Sequence, residues 1–481
     1  MRRREFLGAA GVLAAGVATR RTWAPRLQDG TPLHVPPEVR PDGLVLTARP
    51  GDAAVDAVRH TEAWMYNGSL PGPTMRLARG ERARVTLVNA LPESHITHWH
   101  GLLVPEVADG HPRLAVPPGG RYEYDFTVDQ WPGLHWYHPH THMRTGYQVH
   151  RGLAGFFIVE DPTVRDPDGL PPRERELLLV LQDRTIAADG TMPVDERGPV
   201  MMAGYFGNEV LVNGTAHAVA RVTPDLWRLR ILNGSAARIY DLDIGGLPLA
   251  ILGSDGGWMA RPAMSDHLLL APAERLDLLV DFSGAAGRSL AVRSRAFTLP
   301  AGTRGPMAGM GRGMMGMMMG RQGEAIDVMR LEVAADAPRR RALPRELASR
   351  PVPALPRGAI EQRFVFSTMM MSHTINGQDF AMERANIRAR AGSVERWTFV
   401  NDGPFPHPVH LHAAHFAVRE RRGGRAALLP HEHGWKDTVL VAPSEEVTVD
   451  VHFAPHRGRF LLHCHNLQHE DMGMMLNVDL D

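Results

Sequence analysis

The sequence predicts an all-β protein made of three β-sandwich domains. Its 481 residues include 48 glycines and 38 prolines, and the segments between them are short and rich in Val, Leu and Thr. This composition is typical of β-structure. The length suits about three domains of ordinary size, and a 44% hydrophobic content can supply their cores. Two sets of repeated segments indicate that one domain architecture occurs three times.

The first set of repeats consists of a turn, an alternating strand and a loop. The turns are the Asn-Gly pairs at Asn67, Asn213 and Asn376, and the strands end at Asn89, Asn233 and Asn401. Asn-Gly favours a tight turn, and alternation of apolar and polar residues predicts a strand with one buried face. Recurrence at intervals of about 150 residues indicates repeated domains.

The second set closes each repeat with the alternating segments PPGGRYEYDFTV, APAERLDLLVDF and PSEEVTVDVHF, each followed by Gly and another strand. Equivalent positions in the three repeats hold His98, Leu242 and His410, and then His138, Val292 and His463. The middle repeat therefore has aliphatic residues where the outer two have histidines. We predict domains at 31–165, 166–340 and 341–481, with a Pro/Arg-rich linker at 337–357.

Histidine pairs of the form His-x-His are the main chemical signal in the outer repeats. They are His98-Trp99-His100, His138-Pro139-His140, His410-Leu411-His412 and His463-Cys464-His465. Residues i and i+2 of a strand share a face, so each pair directs two imidazoles toward one partner. A single pair is more often solvated or structural. Four pairs at equivalent points of two repeats predict metal binding.

Cys464 is the only cysteine, so it cannot form an intramolecular disulfide. His407 precedes it, and His469 and Met474 follow it. A Cys with two His and a weak axial Met is the ligand set of an electron-transfer copper. Strand alternation places Cys464 on the face opposite His463 and His465, so one strand can serve two metal centres. This arrangement suits an electron relay.

The motifs HWHG, HPHTH, HPVHLH and HCHNLQHEDMGMM resemble the four copper-binding motifs of the multicopper oxidases. The resemblance is to the bacterial laccase-like branch with three cupredoxin domains, and it includes the VNG, SDGG and WKDT segments. It implies three tandem cupredoxin-like Greek-key β-sandwiches and four copper ions per chain. The implied ligands are His407, Cys464, His469 and axial Met474 for type 1 copper, His98 and His410 for type 2, His100, His138 and His465 for one type 3 copper, and His140, His412 and His463 for the other.

The resemblance also implies an oxidase that takes single electrons from phenols or aromatic amines, with Cu(I) oxidation as a second activity. Electrons would pass through Cys464 to reduce dioxygen to two waters. Asp109 and Glu470 resemble the family's acidic residues beside the trinuclear centre, and positioned carboxylates are suitable proton donors. The alternative interpretation of Asp109 is a turn aspartate before Gly110, and that of Glu470 is a solvated loop charge.

Residues 307–319, MAGMGRGMMGMMM, form a methionine-rich segment whose glycines disfavour a helix. One interpretation is a thioether patch that collects Cu(I) near the donor entrance. The other is a flexible loop whose methionines cover an apolar surface. Residues 369–371 either join this patch or belong to a strand. The cuprous-oxidase branch has an acidic residue and a Met just before the type 1 His, where this chain has Gly403 and Phe405. This departure argues against a dedicated Cu(I) site.

The N-terminus begins with Arg2-Arg3-Arg4 and continues as a weakly apolar Gly/Ala run to about Ala18. It predicts a twin-arginine signal peptide within a leader at 1–30 and export to the periplasm by the corresponding machinery. The alternative is a disordered basic tail. The run is too short for a permanent membrane span, and no later run reaches membrane length. Because the net charge is zero, we expect no nucleic-acid binding. We also expect a monomer.

Two functions compete with a laccase-like oxidase. One is an exported copper-sequestering or cuprous oxidase protein for copper tolerance, and the other is a structural array that kept the fold without the chemistry. The complete ligand set argues against the structural array. Turnover with a phenol separates an oxidase from a sequestering protein.

Overall fold

The computed structural model describes residues 30–160, 169–194, 198–300, 321–369 and 372–481. These residues form a nearly all-β protein, which confirms the predicted class. Residues 1–29 of the predicted leader and the methionine-rich segment 307–319 lie outside the described residues.

The strands run in three groups along the chain. The first group is β1 (Thr31–Pro32), β2 (Glu38–Val39), β3 (Asp42–Ala54), β4 (His60–Tyr66), β5 (Gly72–Ala78), β6 (Arg82–Asn89), β7 (Thr97–His100), β8 (Arg121–Thr127), β9 (Gly133–Pro139) and β10 (Gly155–Glu160). The second is β11 (Glu176–Arg184), β12 (Glu209–Val212), β13 (Thr215–Ala216), β14 (Ala218–Val222), β15 (Leu226–Asn233), β16 (Tyr240–Ile244), β17 (Leu249–Ser254), β18 (Gly257–Ser265), β19 (Leu268–Leu270), β20 (Arg275–Asp281), β21 (Ser289–Ser294) and β22 (Ile326–Val333). The third is β23 (Glu361–Met369), β24 (Ser372–Ile375), β25 (Ile387–Ala389), β26 (Val394–Asn401), β27 (His407–Leu411), β28 (Ala414–Arg422), β29 (Trp435–Lys436), β30 (Thr438–Val441), β31 (Glu446–Phe453), β32 (Gly458–Cys464) and β33 (Met475–Leu480).

The helices are short. The α-helices in the described ranges are α1 (Glu106–Asp109), α2 (Thr145–His150), α3 (Pro199–Ala203) and α4 (Leu467–Asp471). Single 3-10 turns cover Pro112–Leu114, Arg173–Arg175, Ser283–Ala285 and Pro430–His433. None of the described helices has the length and apolar character needed to cross a membrane.

Each group of strands supplies two sheets that enclose a hydrophobic core. The first pair of sheets has the strand orders β4-β3-β6-β8 and β2-β5-β10-β9-β7. The second pair has the orders β1-β14-β22-β21-β16-β19 and β13-β12-β11-β15-β20-β17-β18. The third pair has the orders β24-β23-β26-β31-β28-β29 and β25-β33-β32-β27-β30. The three main cores lie between the sheets of each pair. Strand β1 pairs with β14, so the start of the predicted first domain joins a sheet of the second group. The predicted domain boundaries themselves stay a prediction.

The predicted repeats have the same local geometry. Asn67, Asn213 and Asn376 have φ values of 51°, 50° and 52°, and the glycines that follow have φ values of 74°, 74° and 73°. This left-handed pair is the conformation that a tight Asn-Gly turn requires. The asparagines that end β6, β15 and β26 each donate Nδ2–H bonds to two backbone carbonyls, one in the following loop and one 27–40 residues further along the chain. The turn and strand predictions are thus confirmed in all three repeats.

The strands that carry the histidine pairs are neighbours within their sheets. Strands β7 and β9 pair in the register His98↔His138, and β27 and β32 pair in the register His410↔His463. The middle sandwich instead buries Leu242 at 0% exposure and Val292 at 4% in its apolar core. At equivalent positions, the outer sandwiches therefore carry imidazoles and the middle sandwich carries apolar core residues.

Candidate metal centre

Eight histidines of the first and third sandwiches converge in one buried cluster, which we call the histidine cage. Its members are His98, His100, His138, His140, His410, His412, His463 and His465. Each is at most 2% exposed. Burial lowers the pKa of His98 to about 3, so this imidazole is neutral and has a lone pair available for metal binding.

His98 and His410 are oriented by backbone carbonyls. Nδ1 of His98 lies 2.6 Å from the Asp109 carbonyl oxygen, and Nδ1 of His410 lies 2.8 Å from the Asp437 carbonyl oxygen. A carbonyl only accepts, so Nδ1 carries the hydrogen in both rings and Nε2 holds the lone pair. Each Nε2 is buried without a hydrogen-bond partner among the described residues. Such second-shell bonds are typical of metal-binding histidines.

His100 and His138 present facing lone pairs. Nε2 of His100 lies 3.1 Å from Oδ1 of Asp437, and Nδ1 of His138 lies 2.8 Å from the Pro139 carbonyl oxygen. These bonds leave Nδ1 of His100 and Nε2 of His138 as acceptors, and the two atoms are 3.3 Å apart. Two buried acceptors at this separation repel unless a cation lies between them. The His465 ring centroid is 5.1 Å from that of His100 and 5.2 Å from that of His138.

The second half of the cage contains His140, His412 and His463. Nε2 of His463 lies 3.4 Å from Nε2 of His140 and 3.2 Å from Nε2 of His412. The three rings can hold one metal ion by geometry. Nδ1 of His412 donates to Oδ2 of Asp109 at 2.7 Å, which again leaves Nε2 as the donor atom for a metal.

His407, Cys464 and His469 form a second group, which we call the thiolate cluster. Sγ of Cys464 lies 3.4 Å from Nδ1 of His407 and 3.7 Å from Nδ1 of His469, and the two nitrogens are 3.2 Å apart. A triangle of this size has a point about 2 Å from all three atoms, close to the lengths of metal–imidazole and metal–thiolate bonds. Met474 is fully buried in the same core, and its carbonyl accepts from the Cys464 N–H at 3.1 Å.

The two predicted acidic residues both lie against the cage. Asp109 is 0% exposed and Glu470 is 3% exposed, so Glu470 is not a solvated loop charge. Oε2 of Glu470 lies 3.0 Å from Nδ1 of His463, and Oδ1 of Asp109 lies 3.6 Å from Nδ1 of His98. Burial raises the pKa of Asp109 well above its usual range.

The thiolate cluster is covered by a segment of the middle sandwich. The ring of His469 is fully buried, and its Nε2 lies 2.9 Å from the Met202 carbonyl oxygen of α3. The ring of His373 stacks on His469 with centroids 4.0 Å apart. His407 is also fully buried. In the described part of the chain, neither the His407 ring nor the His469 ring is exposed to an electron donor in solution. A donor would instead contact the residues that cover them.

The polar residues that hydrogen-bond to the cage histidines and orient them were not identified from the sequence. Asp437 and Thr438 contact His100 and His410, and Arg275 of the middle sandwich pairs with Asp437. Asp437 lies in the WKDT segment, whose resemblance to the family could have marked it as part of the site. Arg275 has no local signal, because its strand, RLDLLVD, reads as an ordinary alternating strand that also carries Asp277 and Asp281.

The match to known proteins agrees with this geometry. Two multicopper oxidase family profiles match residues 47–164 and 355–481. A bilirubin oxidase from Albifimbria verrucaria is 30% identical over 426 residues, covering 85% of this chain and 71% of that protein. The chain belongs to the multicopper oxidase family. A laccase from Bacillus stratosphericus is 29% identical over 482 residues, covering 87% of this chain and 91% of the laccase.

Solved multicopper oxidases share the fold of this chain. The 2F4 variant of the McoA multicopper oxidase from Aquifex aeolicus superposes with a TM-score of 0.84 at 31% identity, covering 94% of this chain and all of that one. This similarity confirms the expected cupredoxin-type sandwiches. Family membership implies a copper cofactor. The facing lone pairs of the cage and the Cys-His-His triangle of the thiolate cluster fit copper, because imidazole and thiolate are its preferred ligands.

Proposed function

We propose that this multicopper oxidase is a laccase-like enzyme with four copper ions per chain. The thiolate cluster would hold type 1 copper with Met474 as its axial ligand. His98 and His410 would hold type 2 copper. The remaining cage histidines would hold the two type 3 ions, His100, His138 and His465 for one and His140, His412 and His463 for the other. This assignment follows the family resemblance and is supported by the way these donor atoms cluster.

One observation carries the proposal. Cys464 reaches into the thiolate cluster, and its chain neighbours His463 and His465 reach into the cage. A single strand end therefore joins the two sites by a covalent path of a few bonds. Such a link is needed where one site accepts electrons and another consumes them.

Copper in the thiolate cluster would exchange single electrons with little rearrangement, and copper in the cage would bring four of them to one dioxygen molecule. The chain itself must deliver four protons for two waters. Asp109 and Glu470 are placed for this role, since each carboxylate lies within 4 Å of two cage imidazoles. Positioned carboxylates typically contribute about 10²–10⁴-fold to such proton transfers.

The donor would be a phenol or aromatic amine, with Cu(I) oxidation as a second activity. Relatives named laccase and bilirubin oxidase support an aromatic donor. The Met202 carbonyl on His469 means that the electron would cross one layer of protein between donor and thiolate cluster. The methionine-rich segment 307–319 supports Cu(I) as a further donor, because thioethers bind this ion well.

A copper-loading experiment tests the proposal. Fully reconstituted protein should contain four copper ions per chain, show a blue absorption band and consume oxygen with a phenol. Far fewer than four ions, or a colourless protein, would contradict it. A blue protein without oxygen uptake would favour the alternative of a copper-sequestering protein, which the methionine-rich segment also suits.

We also propose export by the twin-arginine route as a folded monomer. The support is the Arg2-Arg3-Arg4 start and the Gly/Ala run after it. Replacing Arg2, Arg3 and Arg4 by Lys should leave the protein in the cytoplasmic fraction of a bacterial host. Unchanged appearance in the periplasmic fraction would contradict this route.

A further inference from the structure

We infer that Arg275, from the middle sandwich that supplies no histidine to the cage, is a positioning residue for the cage. It would act through Asp437, which orients His100 and His410. The inference rests on the proposed function, since it concerns how the proposed copper ligands are held.

Arg275 and Asp437 form a bidentate pair in the interior. The Arg275 Nη1 lies 2.7 Å from Oδ1 of Asp437, and Nη2 lies 2.6 Å from Oδ2. Side-chain exposure is 1% for Arg275 and 0% for Asp437. Two parallel charge-assisted bonds fix the plane of the carboxylate as well as its position.

Asp437 passes this orientation on to two cage histidines. Its Oδ1 accepts from Nε2 of His100 at 3.1 Å, and its backbone carbonyl accepts from Nδ1 of His410 at 2.8 Å. Thr438 adds a hydroxyl 2.9 Å from the same Oδ1 and 3.2 Å from each of these two ring nitrogens. The carboxylate thus selects the His100 tautomer that leaves Nδ1 free to bind a metal.

Arg275 is itself fixed by all three sandwiches. Beyond Asp437, its guanidinium donates at 3.1 Å to each of three backbone carbonyls, those of Leu134 in the first sandwich and of Asp255 and Ala273 in the second. This network leaves no room for another side chain. A Cβ on Gly101 would lie 2.6 Å from both Nη2 of Arg275 and Oδ2 of Asp437. Gly101 directly follows the cage residue His100.

A lysine cannot replace this arginine. An ammonium is a point charge that can reach one carboxylate oxygen, but it cannot make the planar fork that holds both. Arg275→Lys therefore keeps the buried charge and loses the orientation. Arg421→Lys is the matched control. Arg421 is also fully buried and bonds Glu432, Glu445 and the Leu440 carbonyl, none of which is a cage residue.

The experiment compares copper-loaded wild type, Arg275→Lys and Arg421→Lys by three readouts. The blue band reports the thiolate cluster and folding, the electron paramagnetic resonance spectrum reports type 2 copper, and oxygen uptake with a phenol reports turnover. We expect Arg275→Lys to keep the blue band and to change the type 2 hyperfine coupling, because the Thr438 hydroxyl links the Asp437 carboxylate to the proposed type 2 ligand His410. Type 2 copper affinity or turnover should fall about 10–100-fold. Arg421→Lys should lower the unfolding temperature and leave the type 2 spectrum unchanged.

A wild-type type 2 spectrum and turnover in Arg275→Lys would overturn the inference, as would identical changes in Arg421→Lys. Asp437→Asn decides the case if Arg275→Lys does not fold, because it breaks the pair from the other side. Adding Arg275→Lys to Asp437→Asn should change the spectrum no further, and additive changes would contradict action through Asp437. Failure of the proposed function is distinguishable, because wild type itself would then lack copper or oxygen uptake.

Discussion

His463 and Cys464 are consecutive residues whose side chains enter different clusters. Nε2 of His463 lies 3.2 Å from Nε2 of His412 in the cage, and Sγ of Cys464 lies 3.4 Å from Nδ1 of His407 in the thiolate cluster. Strand alternation separates the side chains onto opposite faces while the backbone keeps them a few bonds apart. Under the proposed function, electron flow between the clusters would depend on this one thiol.

Cys464→Ser should abolish the blue band and phenol oxidation together, because a serine hydroxyl does not replace the thiolate as a copper ligand. The cage should still take up about three copper ions per chain, since no cage histidine is changed. Absorption spectra, copper analysis and oxygen uptake on one preparation check this. Retention of the band or of turnover would mean that Cys464 has another role.

Asp109→Asn should lower oxygen turnover by about 100-fold, because an amide can still accept from His412 but cannot deliver a proton. Reduction of the blue band by a phenol without oxygen should keep its wild-type rate, since the thiolate cluster is untouched. Stopped-flow absorption and oxygen uptake separate the two steps. Asp277→Asn is a control, because Asp277 is also buried but pairs with Arg228 away from the cage. Equal losses in both variants would contradict a proton role.

Met474→Leu should raise the reduction potential of the thiolate-cluster copper, because it removes a weak thioether donor that favours the oxidised ion. The swap conserves volume in a fully buried position and should cost less than about 1.5 kcal/mol in stability. Redox titration of the blue band measures the change. An unchanged potential would exclude Met474 as an axial ligand.

Replacing residues 307–319 by a Gly/Ser segment of equal length should slow Cu(I) oxidation several-fold and phenol oxidation little, because only Cu(I) binds thioethers strongly. Steady-state rates with both donors on the same preparation give the comparison. Equal losses would favour the alternative in which the segment merely covers an apolar surface.

Glu432→Gln should lower the free energy of unfolding at pH 7. It should also make this free energy decrease less as the pH falls. Burial opposes ionisation of Glu432, but Arg421 and Arg425 outweigh it and lower its pKa to about 2 from the ordinary 4.5. Because its pKa is lower in the folded state, the ionised Glu432 stabilises the fold fully above pH 4.5. This stabilisation, up to about 3 kcal/mol, is lost as the pH falls toward 2. Urea unfolding of copper-free protein at pH 7 and 3.5 measures it.

The matched control for this prediction is Glu420→Gln. Glu420 pairs with Arg422 at the surface, where the side chains are 48% and 70% exposed. Exposed pairs contribute little, so its stability curve should follow the wild type. A Glu432→Gln curve that also follows the wild type would contradict a stabilising role of the buried pair.

The sequence was most informative where the structural signal is local. The Asn67, Asn213 and Asn376 turns follow from one dipeptide, and the clustering of the His-x-His pairs follows from strand alternation and repeat spacing. The Arg275–Asp437 pair could not be predicted, because it depends on how the middle sandwich packs against the third. The covering of His469 by Met202 is unpredictable for the same reason, since 267 residues separate them.

The cage draws on residues as far apart as His98 and His465, and the thiolate cluster ends at His469, near the last strand β33. Neither cluster has its full set of donor atoms until the third sandwich has been synthesised. A protein truncated before Cys464 would therefore be colourless however well its first two sandwiches fold.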